Sequence, residues 1–200
     1  MTLAWVVGEA AVGVFAGPPL RAGVLARYGV KPPVLTVEVA AGVALALAVV
    51  RAAAPWQAAA LGWLMLCGVA LAFIDAAIRR LPDPLTGAAF AGTLGLFTVA
   101  ALTGGHPGQL ARAGIAAVVL CGFYLVLFIV RPSGMGLGDV KLAACVGIAL
   151  GWQAVVAGTF VTFVLAAVYG CALLLRRASR TSQLPLGPFI VIGTLAAIVS

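Results

Sequence analysis

The chain has 200 residues, of which 64% are hydrophobic and only 8% are charged, and its formal net charge is +7. This composition excludes a water-soluble globular domain and indicates an integral membrane protein. Nucleic acid is not needed to explain the positive charge, because Lys and Arg collect in the cytoplasmic loops of membrane proteins.

Long apolar segments predict transmembrane helices, since about 20 apolar residues cover the hydrocarbon core. The stretch from Val140 to Leu175 is too long for one crossing, and Gly151-Trp152-Gln153 offers a turn that divides it into a short helix, ending at Leu150, and a longer one. The alternation expected of a membrane β-barrel is absent. We therefore predict one all-α, polytopic membrane domain over residues 1–200, with about eight spans. The other segments are Leu3 to Pro19, Val34 to Val50, Trp56 to Ile74, Leu85 to Thr103, Leu110 to Val130 and Leu184 to Val199.

The basic residues predict the orientation, because short cytoplasmic loops are enriched in Lys and Arg. With eight spans, only Arg51 and Arg112 fall at one set of helix ends, and this set is predicted to lie outside the cytoplasm together with both termini. The other set is predicted to be cytoplasmic, and it carries Arg21, Arg27, Lys31, Arg79, Arg80, Arg131, Lys141, Arg176, Arg177 and Arg180.

Two aspartates stand at predicted span ends on the cytoplasmic side. Asp75 closes one span after Phe73-Ile74, and Asp139 opens another after the glycine-rich stretch from Gly134 to Gly138. An ionisable group at the edge of a bilayer is costly to keep, so each is interpreted as a functional residue. These two carboxylates are the main candidates for chemistry.

Glycines precede the second aspartate at Gly136 and Gly138. The stretch lacks the Lys-Ser or Lys-Thr ending of a phosphate-binding loop, so close backbone packing is the better interpretation. We expect these glycines to let the start of one helix approach the end of the other.

Three further residues are secondary candidates for the site. Asp83, within Leu81-Pro82-Asp83-Pro84-Leu85, is predicted mainly to cap a helix whose first residue is Pro84. Lys141 follows Asp139 closely in sequence, and Glu38 lies about one turn inside its helix, where it could face the bundle.

Other catalytic chemistries lack the residues that they require. Cys67, Cys121, Cys145 and Cys171 are isolated, with no CxxC pair, which argues against a zinc site. The single histidine, His106, is predicted on the outer side, whereas the serine nearest a span junction, Ser133, is predicted on the inner side. A serine protease needs its nucleophile and base in contact, so this separation argues against an intramembrane serine protease. Neither a metal nor an organic cofactor is expected.

At these residues the chain resembles the prepilin peptidases, the type IV leader peptidases of the GxGD class of intramembrane aspartic proteases. The resemblance extends from about residue 34 to residue 200. It rests on Asp75 followed by Arg80-Leu81-Pro82-Asp83-Pro84-Leu85-Thr86, on Gly136-Leu137-Gly138-Asp139-Val140-Lys141-Leu142, on Gly151-Trp152-Gln153, and on Leu184-Pro185-Leu186-Gly187-Pro188-Phe189.

The resemblance implies that Asp75 and Asp139 form a catalytic pair in the inner membrane of a prokaryote. The implied substrate is a prepilin or pseudopilin whose short basic leader lies in the cytoplasm and whose apolar stalk lies in the bilayer. Full-length bifunctional members also carry an N-terminal domain with paired CxxC motifs, linked to methylation of the pilin. The loop from Arg21 to Pro33 has no room for it, so the expected form is a peptidase without that domain.

The helix dipole suggests different roles for the two aspartates. Asp139 opens a helix, where negative charge is favoured, and Asp75 closes one, where it is disfavoured. This contrast makes Asp139 the expected base and Asp75 the expected acid.

Three alternatives stay open. A proton-coupled transporter would favour mid-membrane carboxylates and often an internal repeat. A non-catalytic assembly or scaffold protein could use both aspartates to bind basic segments of a partner. A presenilin-like or signal-peptide-peptidase-like protease would also contain the GxGD motif, although the short chain and the Arg80 to Thr86 segment favour the prepilin group.

Overall fold

The computed structural model describes residues 3–52, 54–104, 108–132, 134–175 and 184–199, and these residues form helices joined by turns and short connections, as the all-α prediction requires. Arg176, Arg177, Arg180, His106 and Ser133 lie outside the described residues. The helices are α1 (Leu3–Pro19), α2 (Thr36–Arg51), α3 (Pro55–Ile78), α4 (Asp83–Thr103), α5 (Gly108–Val130), α6 (Leu137–Leu175) and α7 (Leu186–Val199).

Membrane spans are evident in the length and composition of these helices. In the described part of the chain, four helical stretches are long and apolar enough to cross a bilayer, and the shorter helices α2 and α7 are also apolar. The prediction of a polytopic membrane bundle is thereby confirmed, whereas the total of eight spans stays a prediction. The four stretches are Pro55–Ile78, Asp83–Thr103, Gly108–Val130 and Ala154–Leu175.

The helical segment that starts with α1 continues further than the sequence predicts. After α1 the chain continues as a π-helix over Leu20–Leu25, so the prediction of a loop beginning at Arg21 is wrong. Pro18 and Pro19 lack the N–H groups of a regular helical ladder, and a π-helical turn accommodates such an interruption. Leu25 is fully buried, which holds this segment against the core.

α6 bends sharply at Gly151, whose φ of 66° and ψ of −175° are not helical. Near its start Gly138 lies against Leu81, in the connection between α3 and α4. Near its end the ring of Tyr169 contacts that of Phe189, in the first turn of α7. The start of α7 lies beside the end of α3, because the N–H of Gly187 donates a hydrogen bond to Asp75. α6 is therefore a pair of antiparallel arms, and the predicted division at Gly151 is confirmed.

α3 is the central helix of the bundle. Of its span 61% is buried inside the protein, against 28% or less for the other three spans. Its buried residues pack on α2, α4 and α7. Asp75 therefore lies on the innermost helix, close to its end. The end of the bundle that carries Asp75 and Asp139 is called the aspartate end below.

Candidate active site

Asp75 is held by the start of another helix. It is buried in α3, with 5% of its surface exposed, and its Oδ2 accepts a hydrogen bond of 2.8 Å from the backbone N–H of Gly187. Gly187 is the second residue of α7, where backbone N–H groups have no partner inside their own helix. The N-terminus of α7 therefore supplies a donor and a favourable dipole to this carboxylate.

Gly187 was not predicted as a site residue. A Cβ added to it would lie 3.0 Å from Oδ2 and 3.1 Å from Cβ of Asp75. The close approach therefore favours glycine at this position. In the sequence, Pro185, Gly187 and Pro188 together mark a helix start. Nothing near Gly187 in sequence indicates that its partner is Asp75, 112 residues away.

Asp139 is fixed by its own helix start. It is the third residue of α6, and its Oδ2 accepts a hydrogen bond of 2.9 Å from the N–H of Gly136, which precedes the helix. The N–H of Asp139 donates in return to the carbonyl of Gly136, at 3.1 Å. This reciprocal pattern resembles a capping box, in which the third helical side chain reaches back to the cap. The sequence Gly-Leu-Gly-Asp therefore orients the carboxylate locally.

The remaining oxygen of Asp139, Oδ1, is buried and has no hydrogen-bond partner among the described residues. A buried polar atom without a partner is costly, and such atoms concentrate at functional sites or beside water and ligand. Oδ1 is therefore available to a water molecule or to a substrate group.

Asp75 and Asp139 line one cavity of about 330 Å³ at the aspartate end. Its wall combines the connection after α3 with the segment before α6, so the two sequence motifs meet there. The other lining residues are Arg79, Arg80, Leu81, Phe128, Pro132, Gly134, Met135, Gly136, Leu137, Gly138 and Leu184.

Two buried carboxylates that share one cavity do not both ionise easily, because like charges repel strongly where the dielectric constant is low. Such a pair titrates as a unit and retains one proton over a range of pH. The ionised member can take a proton from water while the protonated member donates to a carbonyl oxygen. The cavity can therefore support hydrolysis without a covalent intermediate.

The two glycines before Asp139 differ in their surroundings. A Cβ on Gly138 would lie 2.4 Å from Cβ of Leu81, so this glycine is required for the close contact between α6 and the connection after α3. A Cβ on Gly136 would meet its nearest atom, Oδ2 of Asp139, at 3.6 Å, which is ordinary contact. Gly136 therefore has room for a methyl group, and it contacts Asp139 through its N–H.

The expected cap at Asp83 is not formed. Pro82 occupies the cap position of α4, Asp83 is the first helical residue, and no side-chain capping bond is made. Instead, Nζ of Lys141 donates a hydrogen bond to Oδ1 of Asp83, and this contact is also an ion pair. The pair joins α4 to α6 beside Gly138 and Leu81, so both secondary candidates lie at the rim of the site.

Glu38 lies outside the cavity. It is buried at 4% exposure and pairs with Arg21 of the π-helical turn, at 3.3 Å between Oε1 and Nη2. It faces the bundle as expected, but the structure does not bring it to Asp75 and Asp139. Its role is to join α2 to the segment after α1.

Both aspartates contact helix starts, so the helix dipoles do not distinguish them as the sequence suggests. Asp75 stands near the end of α3, yet it also accepts an N–H from the start of α7. Asp139 accepts an N–H at the start of α6. Each carboxylate therefore meets the positive end of a helix dipole, and these dipoles do not identify the acid and the base.

The cysteines belong to the packing between helices. Cys67 and Cys145 are buried, Cys121 is half-buried and Cys171 is exposed, and all four are free thiols. Cys67 and Cys145 pack within the main hydrophobic cluster. They therefore act as small apolar residues there.

Comparison with known proteins points to one family. The model of the type IV leader peptidase family matches residues 58–171, a range that includes Asp75 and Asp139. The chain is 32% identical over 188 residues to the prepilin leader peptidase/N-methyltransferase of Aeromonas salmonicida (strain A449), covering 90% of this chain and 60% of the relative. A Pseudomonas aeruginosa protein of the same name is 31% identical over 152 residues, covering 72% of this chain and 50% of the relative. No solved structure gives a significant match.

The chain spans about 60% of the length of the Aeromonas relative and less of the other. The relatives' names join two activities, and the matched family model carries the first of them in its description.

Proposed function

Because the chain belongs to the type IV leader peptidase family, we propose that it is a membrane aspartic endopeptidase in which Asp75 and Asp139 activate water. The observation that carries the proposal is their shared cavity of about 330 Å³, which brings together carboxylates 64 residues apart in sequence on different helices. Both are 5% exposed, and each accepts one backbone N–H.

In the proposed reaction one aspartate is ionised and the other is protonated. The ionised carboxylate takes a proton from a water molecule as its oxygen attacks the scissile carbonyl, while the protonated carboxylate donates a hydrogen bond to the carbonyl oxygen. The tetrahedral intermediate then collapses as a proton passes to the leaving amine. Backbone N–H groups of Gly136 and Gly187 hold the carboxylates in place throughout, which limits the reorganisation required.

The proposed substrate is a prepilin or pseudopilin that enters the bilayer beside the bundle. Its basic leader would lie at the aspartate end, which we propose to face the cytoplasm of a prokaryote's inner membrane. Arg79 and Arg80 in the cavity wall fit this orientation, since basic residues concentrate at cytoplasmic helix ends. They also disfavour recognition of the leader by simple charge attraction, so the peptide backbone and the apolar stalk are the expected points of contact.

Leader removal from a co-expressed, tagged prepilin tests the proposal. Gel shift and mass are measured for the wild type, Asp75→Asn and Asp139→Asn, with Glu9→Gln in α1 as the matched control, because Glu9 is a carboxylate that does not line the cavity. We expect cleavage by the wild type and the control and none by either aspartate variant at equal protein level. Cleavage that survives either substitution would exclude the pair and favour a scaffold that only binds basic segments.

A further inference from the structure

A second cavity, of about 520 Å³, lies at the opposite end of the bundle. It is formed by the first turn of α3, Phe97 of α4, the first turns of α5 and the bend of α6 at Gly151. Gly151 comes twelve positions after Asp139, which corresponds to about 18 Å along α6. The second cavity is therefore separate from the aspartate pair. Its lining residues are Gln57, Phe97, Gln109, Arg112, Ala113, Ile115, Ala149, Leu150, Gly151 and Trp152.

Among the described residues, the lining is amphipathic and its one charged side chain, that of Arg112, is positive. Arg112 contributes a guanidinium, Gln57 and Gln109 contribute amides, and Phe97 and Trp152 contribute aromatic surface. None of the lining residues is acidic, and in the described ranges no carboxylate pairs with Arg112. A guanidinium with no protein counter-ion, next to amide donors, suits a phosphate group, which accepts two parallel hydrogen bonds from arginine.

The position of this cavity matches the level of lipid headgroups. Three membrane-spanning stretches begin at Pro55, Gly108 and Ala154, and each start lies within a few residues of the lining. Trp152 is 54% exposed, and tryptophan concentrates at the interface between lipid and water. An occupant there would have a polar head near Arg112 and an apolar part against Ile115 and the neighbouring aromatic rings.

We propose that this cavity binds the phosphate-bearing headgroup of an anionic phospholipid through Arg112. The site is distinct from the proposed catalytic pair, and it does not depend on the peptidase activity. Basic pockets between transmembrane helices bind anionic headgroups at the cytoplasmic side of other membrane proteins, and the pairing of arginine with phosphate that they use is available at this end of the bundle as well. The same chemistry would accept free inorganic phosphate, and the experiment separates the two sources.

The test compares lipid binding by the whole detergent-solubilised protein. Native mass spectrometry counts bound phosphatidylglycerol and phosphatidylcholine with the same acyl chains, and thermal unfolding is followed with each lipid and with inorganic phosphate alone. The variants are Arg112→Ala, Arg112→Lys and, as the matched control, Arg27→Ala, an exposed arginine at the aspartate end. We expect the wild type to prefer phosphatidylglycerol and Arg112→Ala to lose about fivefold in its affinity. Arg27→Ala should retain the preference.

A second variant covers the case in which Arg112→Ala does not fold. Gln109→Glu adds a carboxylate to the cavity wall at an exposed position and should lower phosphatidylglycerol binding in the same direction. Inorganic phosphate alone could stabilise the wild type and not the cavity variants, while the wild type binds both lipids equally. That result would overturn the lipid proposal and assign the site to a free anion. Equal binding of both lipids with no phosphate effect, or an equal loss in Arg27→Ala, would overturn the proposal.

Discussion

The backbone N–H of Gly187 donates a hydrogen bond of 2.8 Å to Oδ2 of Asp75 across 112 residues of sequence. The family model matches residues 58–171 and therefore ends before this donor. The start of α7 is thus part of the site, although it lies outside the matched range and outside the motif that contains Asp139.

Gly187→Ala should reduce cleavage without unfolding the protein. The added Cβ would lie 3.0 Å from Oδ2 of Asp75 and push the carboxylate away from its donor. A displacement of about 1 Å at a catalytic group can cost about 100-fold in rate. The initial rate of leader removal is compared with that of Gly95→Ala in α4, where a Cβ meets nothing within 4 Å. Equal rates in the two variants would exclude a positioning role for Gly187.

The glycines before Asp139 should respond differently to the same substitution. Gly138→Ala places a Cβ 2.4 Å from that of Leu81 and should lower the cleavage rate by tenfold or more, whereas Gly136→Ala keeps the N–H that binds Asp139 and has room for its methyl group. We expect Gly136→Ala to stay within about threefold of the wild type, since backbone donors survive a side-chain change. Rates measured at equal expression decide this, and a reversed order would contradict the packing described here.

The ion pair between Asp83 and Lys141 should affect activity more than stability. Both side chains are at least half exposed, and exposed pairs contribute about 0 to 1 kcal/mol. Lys141→Ala should therefore leave thermal unfolding nearly unchanged but lower the rate constant for cleavage several-fold, because α6 is less firmly held beside α4. The exchanged pair Asp83→Lys with Lys141→Asp should recover most of the rate. Failure of the exchange to restore any rate would assign Lys141 a direct contact with substrate instead.

Gly151→Ala should destabilise the fold. The φ of 66° and ψ of −175° at Gly151 belong to a region that is essentially restricted to glycine, and other residues pay about 1 to 3 kcal/mol there. Thermal unfolding in detergent is compared with that of Gly122→Ala in α5, where a Cβ has open space. An unchanged midpoint for Gly151→Ala would mean that α6 adopts another path at its bend.

Hydropathy and glycine placement were sufficient to predict most of the fold. The predicted bounds of α1 are those observed, and the division of the long apolar stretch at Gly151 is confirmed, because both features are local properties of the chain. The π-helical turn over Leu20–Leu25 was missed, because the burial of Leu25 is decided by other helices rather than by its own segment.

The site was predictable only in part, for the same reason. Asp75 and Asp139 stand out because charge is costly at the edge of an apolar span. Asp83 was misinterpreted because its local sequence suits a cap, whereas its partner Lys141 comes from another helix 58 residues away. Gly187 was overlooked because a backbone donor leaves no mark in side-chain chemistry.

The contact between α7 and Asp75 also sets an order of events during synthesis. Asp75 leaves the ribosome 112 residues before Gly187. A nascent chain that does not yet include Gly187 therefore contains this carboxylate without its backbone donor. The proposed hydrolytic centre therefore lacks this donor until α7 has been inserted beside α3.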